Sequence, residues 1–198
     1  MLTTLGGMSD ASPKPLFIPL ILGTSRQGRR SEHAARLVFE QTKKRAGVET
    51  EWIDVRDLPM SFLDAGEQIK NAKFSETIKR ADGLILVVPE YNHGYPGSLK
   101  HALDTNLEEY IHKAVGVCGV SAGPFGGARV IENLLPVLRE LGLVATFTDV
   151  NFGSIGKLFD EQGKLLDENF VRRVDKFLDE LVWMSRVLRY GRENIPPA

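Results

Sequence analysis

The stretch LFIPLILGTSRQGRRSE, residues 16–32, joins an apolar run to a loop of small and basic residues. Residues 16–22 are almost continuously apolar, which is typical of a strand buried on both faces of a parallel sheet. The run ends at Gly23, and two hydroxyl residues and three arginines follow before a helical pattern begins at Ser31. Because backbone N–H groups converge at the start of a helix, where the helix dipole favours negative charge, this unit predicts a site for an anion.

Four more strand patterns follow this unit, and helical patterns separate them. We expect the five strands at residues 16–22, 49–55, 83–88, 113–120 and 143–150. We expect helices at residues 31–46, 74–81, 97–106 and 128–141 and from Phe170 onward, with a kink or a break at Pro136. Strands that alternate with helices predict an α/β domain whose parallel sheet is covered on both faces. Residues 151–169 form a long connection for such a fold, which indicates a functional or an interface element.

The composition indicates one domain without a strongly charged surface. The chain has 198 residues, of which 42% are hydrophobic, and its formal net charge of −1 indicates neither a nucleic-acid nor a membrane partner. We assign residues 16–190 to one domain, residues 1–15 to a disordered tail and residues 191–198 to a C-terminal tail. No run approaches the roughly 20 apolar residues of a membrane span, and residues 1–15 lack the features of a signal peptide. The single cysteine, Cys118, cannot form an internal disulfide, which favours the cytoplasm.

The loop after the first strand matches a nucleotide P-loop only in part. Gly23 and Gly28 match its two glycines, but Arg29 replaces its lysine and Arg30 stands where its magnesium-binding hydroxyl belongs. Nucleotide chemistry that needs Mg²⁺ is therefore poorly supported, and the G-x-G-x-x-G dinucleotide pattern is missing as well. A cradle for a compact phosphate remains, in which Ser31 is a candidate N-cap; its members are Thr24, Ser25, Arg26 and Ser31. Taken alone, the stretch fits an ordinary basic loop with solvated arginines equally well.

The loop after the third strand, PEYNHGYPGSLKHALD at residues 89–104, combines turn residues with aromatic side chains. Its prolines, its glycines and Asn92 predict a shaped turn. Tyr91, His93 and Tyr95 add flat surfaces, so the loop suits a planar heterocycle. The alternative is a structural turn whose tyrosines pack on neighbouring helices.

The loop after the fourth strand, GVSAGPFGGAR at residues 119–129, lets backbone approach a ligand closely because it is rich in glycine. It also contains G-x-S-x-G, the nucleophile elbow of serine hydrolases, centred on Ser121. All four histidines precede Ser121, whereas the hydrolase order places the histidine last, so we interpret the match as chance. A triad in another chain order stays geometrically possible. Neither H-E-x-x-H nor a cysteine cluster is present, so no metal site is indicated.

The three stretches GTSRQGRRS, PEYNHGYPGSLKHALD and GGARVIENLLPVLRELG together resemble the NAD(P)H-dependent FMN reductase family of flavodoxin-like proteins. The family includes bacterial quinone, chromate and azo-dye reductases, and the resemblance covers residues 16–150. It implies a doubly wound, five-stranded parallel sheet in the order 2-1-3-4-5. It implies that FMN contacts all three loops, at Gly23, Thr24, Ser25, Arg26, Arg30 and Ser31, at Pro89, Glu90, Tyr91, Asn92 and His93, and at Ser121, Ala122 and Gly123. One departure from the family pattern, ALDTN in place of an aromatic after the aspartate, concerns the substrate side of the pocket.

The resemblance implies an enzyme that passes a hydride from NADPH or NADH through FMN to a quinone, azo, chromate or free-flavin acceptor. The protein then supplies orientation and electrostatics, so we nominate no catalytic residue, although His93 is a candidate hydrogen-bond partner for a quinone. The alternative is a flavodoxin-type electron carrier, which the balanced charge disfavours, and a serine hydrolase comes third. Family members are dimers or tetramers. Apolar residues support such an interface at Ile155, Leu158, Phe159, Leu165 and Leu166 and at Trp183, Met184, Val187 and Leu188.

Overall fold

The computed structural model describes residues 14–61 and 69–196 and has a parallel sheet at its centre. The predicted N-terminal tail lies outside the described residues, except for Lys14 and Pro15. The strands are β1 (Leu16–Phe17), β2 (Leu20–Leu22), β3 (Val48–Glu49), β4 (Trp52–Asp54), β5 (Gly83–Pro89), β6 (Ala114–Val120), β7 (Val144–Ala145) and β8 (Val150–Phe152). In the main sheet the order is β4-β2-β5-β6-β7, with β8 also paired to β6, while β1 pairs with β3. Every strand pair in these two sheets is parallel.

Three predicted strands are each divided in the structure: the first, at residues 16–22, the second, at residues 49–55, and the fifth, at residues 143–150. The first is interrupted at Pro19, which has no N–H to donate, although Ile18 and Leu20 still donate to Glu49 and Glu51 across the ladder. The expected strand at residues 143–150 is wrong as a single element, because it separates into β7 and β8. Glu180 accepts hydrogen bonds from Phe147 N (2.7 Å) and Thr148 N (3.0 Å). These bonds occupy the N–H groups of Phe147 and Thr148, whereas Thr146 N still donates to Val115 O in β6 (2.9 Å).

Six α-helices accompany the sheet in the described residues: α1 (Ser31–Lys43), α2 (Ala72–Arg80), α3 (Gly97–Asp104), α4 (Ala128–Glu140), α5 (Ile155–Leu158) and α6 (Asn169–Asn194). Helix α4 continues through the exposed Pro136, so the expected break does not occur there. Helix α6 passes residue 190 and ends at Asn194. None of these helices combines the length and the apolar character needed to cross a membrane.

Apolar side chains pack on both faces of the sheet, and β5 shows how this arises. Ile85 and Val87 belong to one buried cluster with residues of α1 and α6, whereas Leu84, Leu86 and Val88 belong to another with residues of α2, α3 and α4. Because successive side chains of a strand point to opposite faces, a strand covered on both sides must be apolar throughout. This layered packing brings the carboxyl ends of β2, β5 and β6 to one edge of the sheet.

The long connection at residues 151–169 folds onto the rest of the domain. It contains β8, α5 and a hairpin bridged between Phe159 and Leu165. Ile155, Leu158 and Phe159 are buried in the core, so the expectation that they form a subunit interface is wrong. Leu166 alone among the five apolar residues singled out there is exposed.

Candidate functional site

A cleft of about 340 Å³ lies at the carboxyl ends of β2, β5 and β6. All three predicted loops reach it, as expected where ligands bind to an open parallel sheet. Eight predicted site residues line it, namely Arg26, Arg30, Ser31, Pro89, Glu90, Tyr91, Ser121 and Ala122. Five lining residues were not predicted as site residues: Gln27, Gly28, Arg29, Val120 and Ile155. Gly23, Thr24, Ser25, Asn92, His93 and Gly123 do not line this cleft.

Arg29 is buried and fastens the first loop to the neighbouring strand. Its guanidinium donates to the carbonyl oxygen of Thr24 and to both carboxylate oxygens of Asp54, with the Nη1–Oδ1 bond measuring 2.8 Å. The Arg29 side chain is only 3% exposed and that of Asp54 only 13%. Arg29 therefore does not act as a substitute for a P-loop lysine, because its fork is already occupied by protein groups.

The charges of this pair are held by their mutual contact. Burial acts to raise the pKa of the Asp54 carboxyl, but hydrogen bonds from Arg29 and from the Arg56 backbone, with the nearby positive charges, outweigh it and lower that pKa. Burial likewise acts to lower the pKa of Arg29, and the contacts with Asp54 and Glu32 outweigh it and raise that pKa. Both groups therefore stay ionised in a site with little water.

The beginning of the loop is positioned by backbone contacts. Gly23 N donates to Val87 O (2.9 Å), and a Cβ on Gly23 would come within 3.0 Å of Leu99 Cδ2, so glycine permits this close approach. Arg56 donates to the carbonyl oxygens of Ser25 (3.3 Å between Nε and O) and Arg26. Gly23 and Ser25 thus set the course of the loop behind the cleft.

Ser31 is the first residue of α1 and not its N-cap, which corrects the expectation for this side chain. Arg30 occupies the N-cap position, and no side chain caps the helix there. The hydroxyl of Ser31 is buried and has no hydrogen-bond partner among the described residues. A buried hydroxyl without a partner costs free energy, and this one lines the cleft at the start of the helix, where it is available to donate to a ligand atom.

The second loop forms a tight turn from Tyr91 to Gly94. Tyr91 N and Gly94 O, and Gly94 N and Tyr91 O, exchange hydrogen bonds of 2.9 and 3.0 Å. Asn92 and His93 both have positive φ values, 50° and 67°, and are exposed at the tip. The turn is held on α4, because Asn133 Nδ2 donates to His93 O (2.6 Å).

Tyr91 and Glu90 are the side chains that this turn presents to the cleft. The Tyr91 hydroxyl lies 2.9 Å from Thr24 Oγ1, and the Arg26 guanidinium lies 4.8 Å from the centre of the Tyr91 ring. Glu90 Oε1 accepts from Arg129 (3.1 Å), while its other carboxylate oxygen is buried without a described partner. The first and second loops are therefore joined by Tyr91, and Glu90 leaves one free acceptor in the site.

The third loop borders the cleft mainly with its backbone. The Ser121 hydroxyl donates to Gly123 O (2.8 Å), and among the described residues it has no hydrogen bond to a histidine. Gly119 faces Gly126 and Gly127 so closely that a Cβ on it would lie 2.6 Å from Gly126 O. The contacts of Ser121 therefore do not include those of an activated nucleophile.

Ile155, which the sequence pattern assigned to a subunit interface, closes the cleft from the long connection. Ile155 N donates to Ser121 O (3.1 Å), and Ser154 N donates to Gly123 O (2.7 Å). These bonds hold the start of α5 against the third loop. The length and the apolar residues of the connection indicated a functional or an interface element, but they did not predict a contact between Ile155 and the cleft.

Comparisons with known proteins identify the family of this chain. The model of the family described as NADPH-dependent FMN reductase matches residues 18–156. An NAD(P)H-dependent FMN reductase of Pseudomonas aeruginosa is 31% identical over 150 residues, which are 71% of this chain and 81% of the relative. A quinone reductase of Pseudomonas putida is 27% identical over 172 residues, covering 81% of this chain and 91% of the relative.

The solved structures give the same fold. FerB, a flavoenzyme NAD(P)H:(acceptor) oxidoreductase of Paracoccus denitrificans, superimposes with a TM-score of 0.72 at 22% identity, over 87% of this chain and 98% of that one. The family match covers well over half of the chain and includes all three loops of the cleft. The chain therefore belongs to the NADPH-dependent FMN reductase family and is an oxidoreductase that uses FMN and NAD(P)H.

Proposed function

We propose that the cleft binds FMN, with the phosphate at the start of α1 and the ring between the second and third loops, and that the enzyme reduces quinones with NAD(P)H. The observation that carries this proposal is the Ser31 hydroxyl, which is buried and unpartnered at the start of the helix. The relative of Pseudomonas putida is named a quinone reductase, which supports the choice of acceptor.

The residues at the start of α1 fit a phosphomonoester. The first N–H groups of a helix have no partner within the helix, and the dipole favours an anion beside them. Arg26 and Arg30 are exposed at the cleft, so their guanidinium groups are free to contact a phosphate. The Arg29 guanidinium is instead paired with the Asp54 carboxylate. A monophosphate requires neither Mg²⁺ nor a P-loop lysine, and this loop has arginines where a P-loop has its lysine and its magnesium-binding hydroxyl.

The opposite wall fits a flat, partly polar ring. Pro89 and Tyr91 supply flat apolar surface, and backbone of the third loop borders the cleft at Ser121 and Ala122. The Thr24–Tyr91 contact holds the tyrosine against the first loop. Arg129 holds Glu90 in place, and the free Glu90 oxygen accepts a hydrogen bond from an N–H of the ring.

When bound, FMN supplies two-electron chemistry that links hydride transfer from NAD(P)H to reduction of the second substrate. The protein groups bind and orient the reactants and restrict the entry of water. Ile155 and Val120 provide the apolar part of the lining. This division of roles explains why no acid–base pair of side chains is needed in the cleft.

Flavin binding tests the proposal directly. We expect the protein to bind FMN more tightly than riboflavin, measured by quenching of flavin fluorescence, because riboflavin lacks the phosphate. Ser31→Ala removes one hydrogen bond to a charged ligand, so it should weaken FMN binding by about 1.5–3 kcal/mol and leave riboflavin binding unchanged. Equal affinities for FMN and riboflavin in the unmodified protein would reject the phosphate site.

Turnover by the purified protein separates an enzyme from an electron carrier. An enzyme oxidises NAD(P)H with a quinone and needs no partner protein, whereas a carrier becomes reduced only when a reductase is added. We expect the first result, and we place the protein in the cytoplasm, where NAD(P)H is supplied.

We also propose that the chain forms a homodimer or a homotetramer. Trp183 and Val187 are 60% and 44% exposed on one face of α6, and Tyr190 continues this stripe, whereas Met184 and Leu188 pack against the core. Apolar surface of this kind favours a partner subunit. Light scattering should give a mass of at least twice 22.0 kDa, and a monomer with full turnover would contradict it.

A further inference from the structure

A second cavity, of about 610 Å³, adjoins the flavin cleft. The two share Gly28, Arg29, Arg30 and Ile155 in their linings, so they meet at the end of the first loop. Arg30 stands at this junction, where its Nη1 donates to Gly156 O (3.1 Å). The two cavities are therefore continuous at Arg30, so a second ligand beside FMN can extend from the cleft into the second cavity.

The far part of this cavity has an aromatic wall. The His33 and Phe159 rings lie 5.7 Å apart with 32° between their planes, and both line the cavity. The hairpin that follows Phe159 closes over His33, because a Cβ on Gly163 would lie 2.6 Å from His33 Nδ1. Such a wall suits a flat heterocycle.

The same part of the cavity carries two carboxylates. Asp160 has a structural role, since its Oδ1 accepts from Gln162 N (3.0 Å) and Lys164 N (2.7 Å) in the hairpin turn. Glu161 is exposed and has no hydrogen-bond or ion-pair partner among the described residues. The two arginines of the lining are at the junction with the cleft, so no lysine or arginine among the described lining residues balances Glu161.

We propose that the second cavity binds the adenosine half of the nicotinamide cosubstrate and selects NADH over NADPH. The inference rests on the proposed function, because it takes the adjoining cleft as the flavin site. His33 contacts the base at the wall that it forms with Phe159, and Glu161 accepts hydrogen bonds from the ribose. A carboxylate accepts from a free 2′-hydroxyl and repels a 2′-phosphate, whereas sites for NADPH use an arginine there.

Steady-state kinetics of the FMN-loaded protein with a quinone give the first test. We expect kcat/KM to be at least about tenfold higher for NADH than for NADPH, and Glu161→Arg to reduce or reverse that ratio by at least about tenfold. Gln162→Arg is the matched control, because it places the same cation on the neighbouring exposed residue outside the lining. It should change the ratio by less than about twofold, since a solvated charge is screened.

Calorimetry with fragments that cannot be oxidised gives a second readout. ADP-ribose should bind the FMN-loaded protein more tightly than its 2′-phosphorylated form, and Glu161→Arg should invert that order. His33→Ala should weaken ADP-ribose binding several-fold while leaving the FMN dissociation constant unchanged.

Three results would overturn the inference. They are a preference of the unmodified protein for NADPH, equal changes in the NADH/NADPH ratio for Glu161→Arg and Gln162→Arg, and ADP-ribose binding that His33→Ala does not weaken. FMN titration of the same preparations separates this failure from failure of the flavin site. A protein that binds FMN and turns over but prefers NADPH rejects only the adenosine site, whereas a protein that fails to bind FMN rejects the proposed function.

Discussion

Replacing Arg29 by methionine should destabilise the protein strongly, although the residue lies in a loop. The change removes the guanidinium that donates to Thr24 O and to both oxygens of Asp54, whose side chain is only 13% exposed in the intact pair. The Asp54 carboxylate is then left without that cation. Breaking a buried ion pair by removing one partner costs about 3–5 kcal/mol. Because Asp54 keeps its hydrogen bond from Arg56 N (2.9 Å), we expect the lower end, about 3 kcal/mol.

Urea unfolding of the FMN-free protein, followed by circular dichroism, measures this loss without interference from the ligand. Arg30→Met is the matched control, because Arg30 is exposed and its one hydrogen bond goes to Gly156 O. It should cost less than about 1 kcal/mol. A loss below about 1 kcal/mol for Arg29→Met would show that the pair does not fasten the loop.

The pH dependence of this loss identifies its origin. In the unmodified protein the pKa of Asp54 is lowered, so its stabilising contribution is present above the unfolded pKa, about 3.9, and is lost as the pH falls through the folded pKa. In Arg29→Met the unpaired carboxyl is easier to protonate, so the difference in unfolding free energy should shrink below about pH 4. A difference that stays constant down to pH 3 would instead indicate lost packing.

Three further predictions concern other parts of the structure. Gly119→Ala should cost about 1–3 kcal/mol in urea unfolding, because its Cβ would lie 2.6 Å from Gly126 O, whereas Gly123→Ala, with open space around it, should cost less than about 0.5 kcal/mol; equal losses would contradict the close approach. Burial, with the charges of Glu132 and Glu180, raises the pKa of Asp149 to about 6, so its contribution to stability is complete below about pH 4 and is lost as the pH rises through about 6. Asp149→Asn should therefore stabilise the protein in thermal unfolding at pH 8 and have no effect at pH 4. A gain in stability at pH 4 alone would contradict the raised pKa of Asp149. Ser121→Ala should retain most of the quinone reduction, because the Ser121 hydroxyl bonds only Gly123 O among the described residues, and an esterase activity that disappears in this variant would revive the hydrolase interpretation.

The sequence was sufficient for the α/β fold class and for the edge of the sheet where the cleft lies. Those two features depend on local patterns: apolar runs that end abruptly, and loops in which glycine, proline and hydroxyl residues follow each run. The break expected at Pro136 did not occur, because the proline lies on the exposed side of α4 and the helix is held by its buried face. Local propensity was overridden there by packing.

The roles of individual side chains in the first loop could not be predicted from the sequence. Arg26, Arg29 and Arg30 are equivalent by composition, and only the fold assigns them to three tasks. Arg29 is turned inward by Asp54, which follows it by 25 residues along the chain and reaches it through the pairing of β2 with β4. Because ionic partners are chosen by tertiary distance and not by spacing along the loop, no motif could separate this arginine from its neighbours.

The long connection at residues 151–169 shows the same limit for apolar residues. A stretch with several large apolar side chains and no clear periodicity satisfies two arrangements equally well, a core element or an interface. The structure buries Ile155 against the third loop, where its N–H fixes Ser121 O, and leaves Leu166 exposed. The connection therefore borders both cavities, because its first helical residue, Ile155, lines the cleft and its hairpin lines the second cavity. Glu161 lies in the lining of the second cavity and outside that of the cleft, so Glu161→Arg tests the proposed adenosine site and replaces none of the residues proposed to hold the phosphate of FMN.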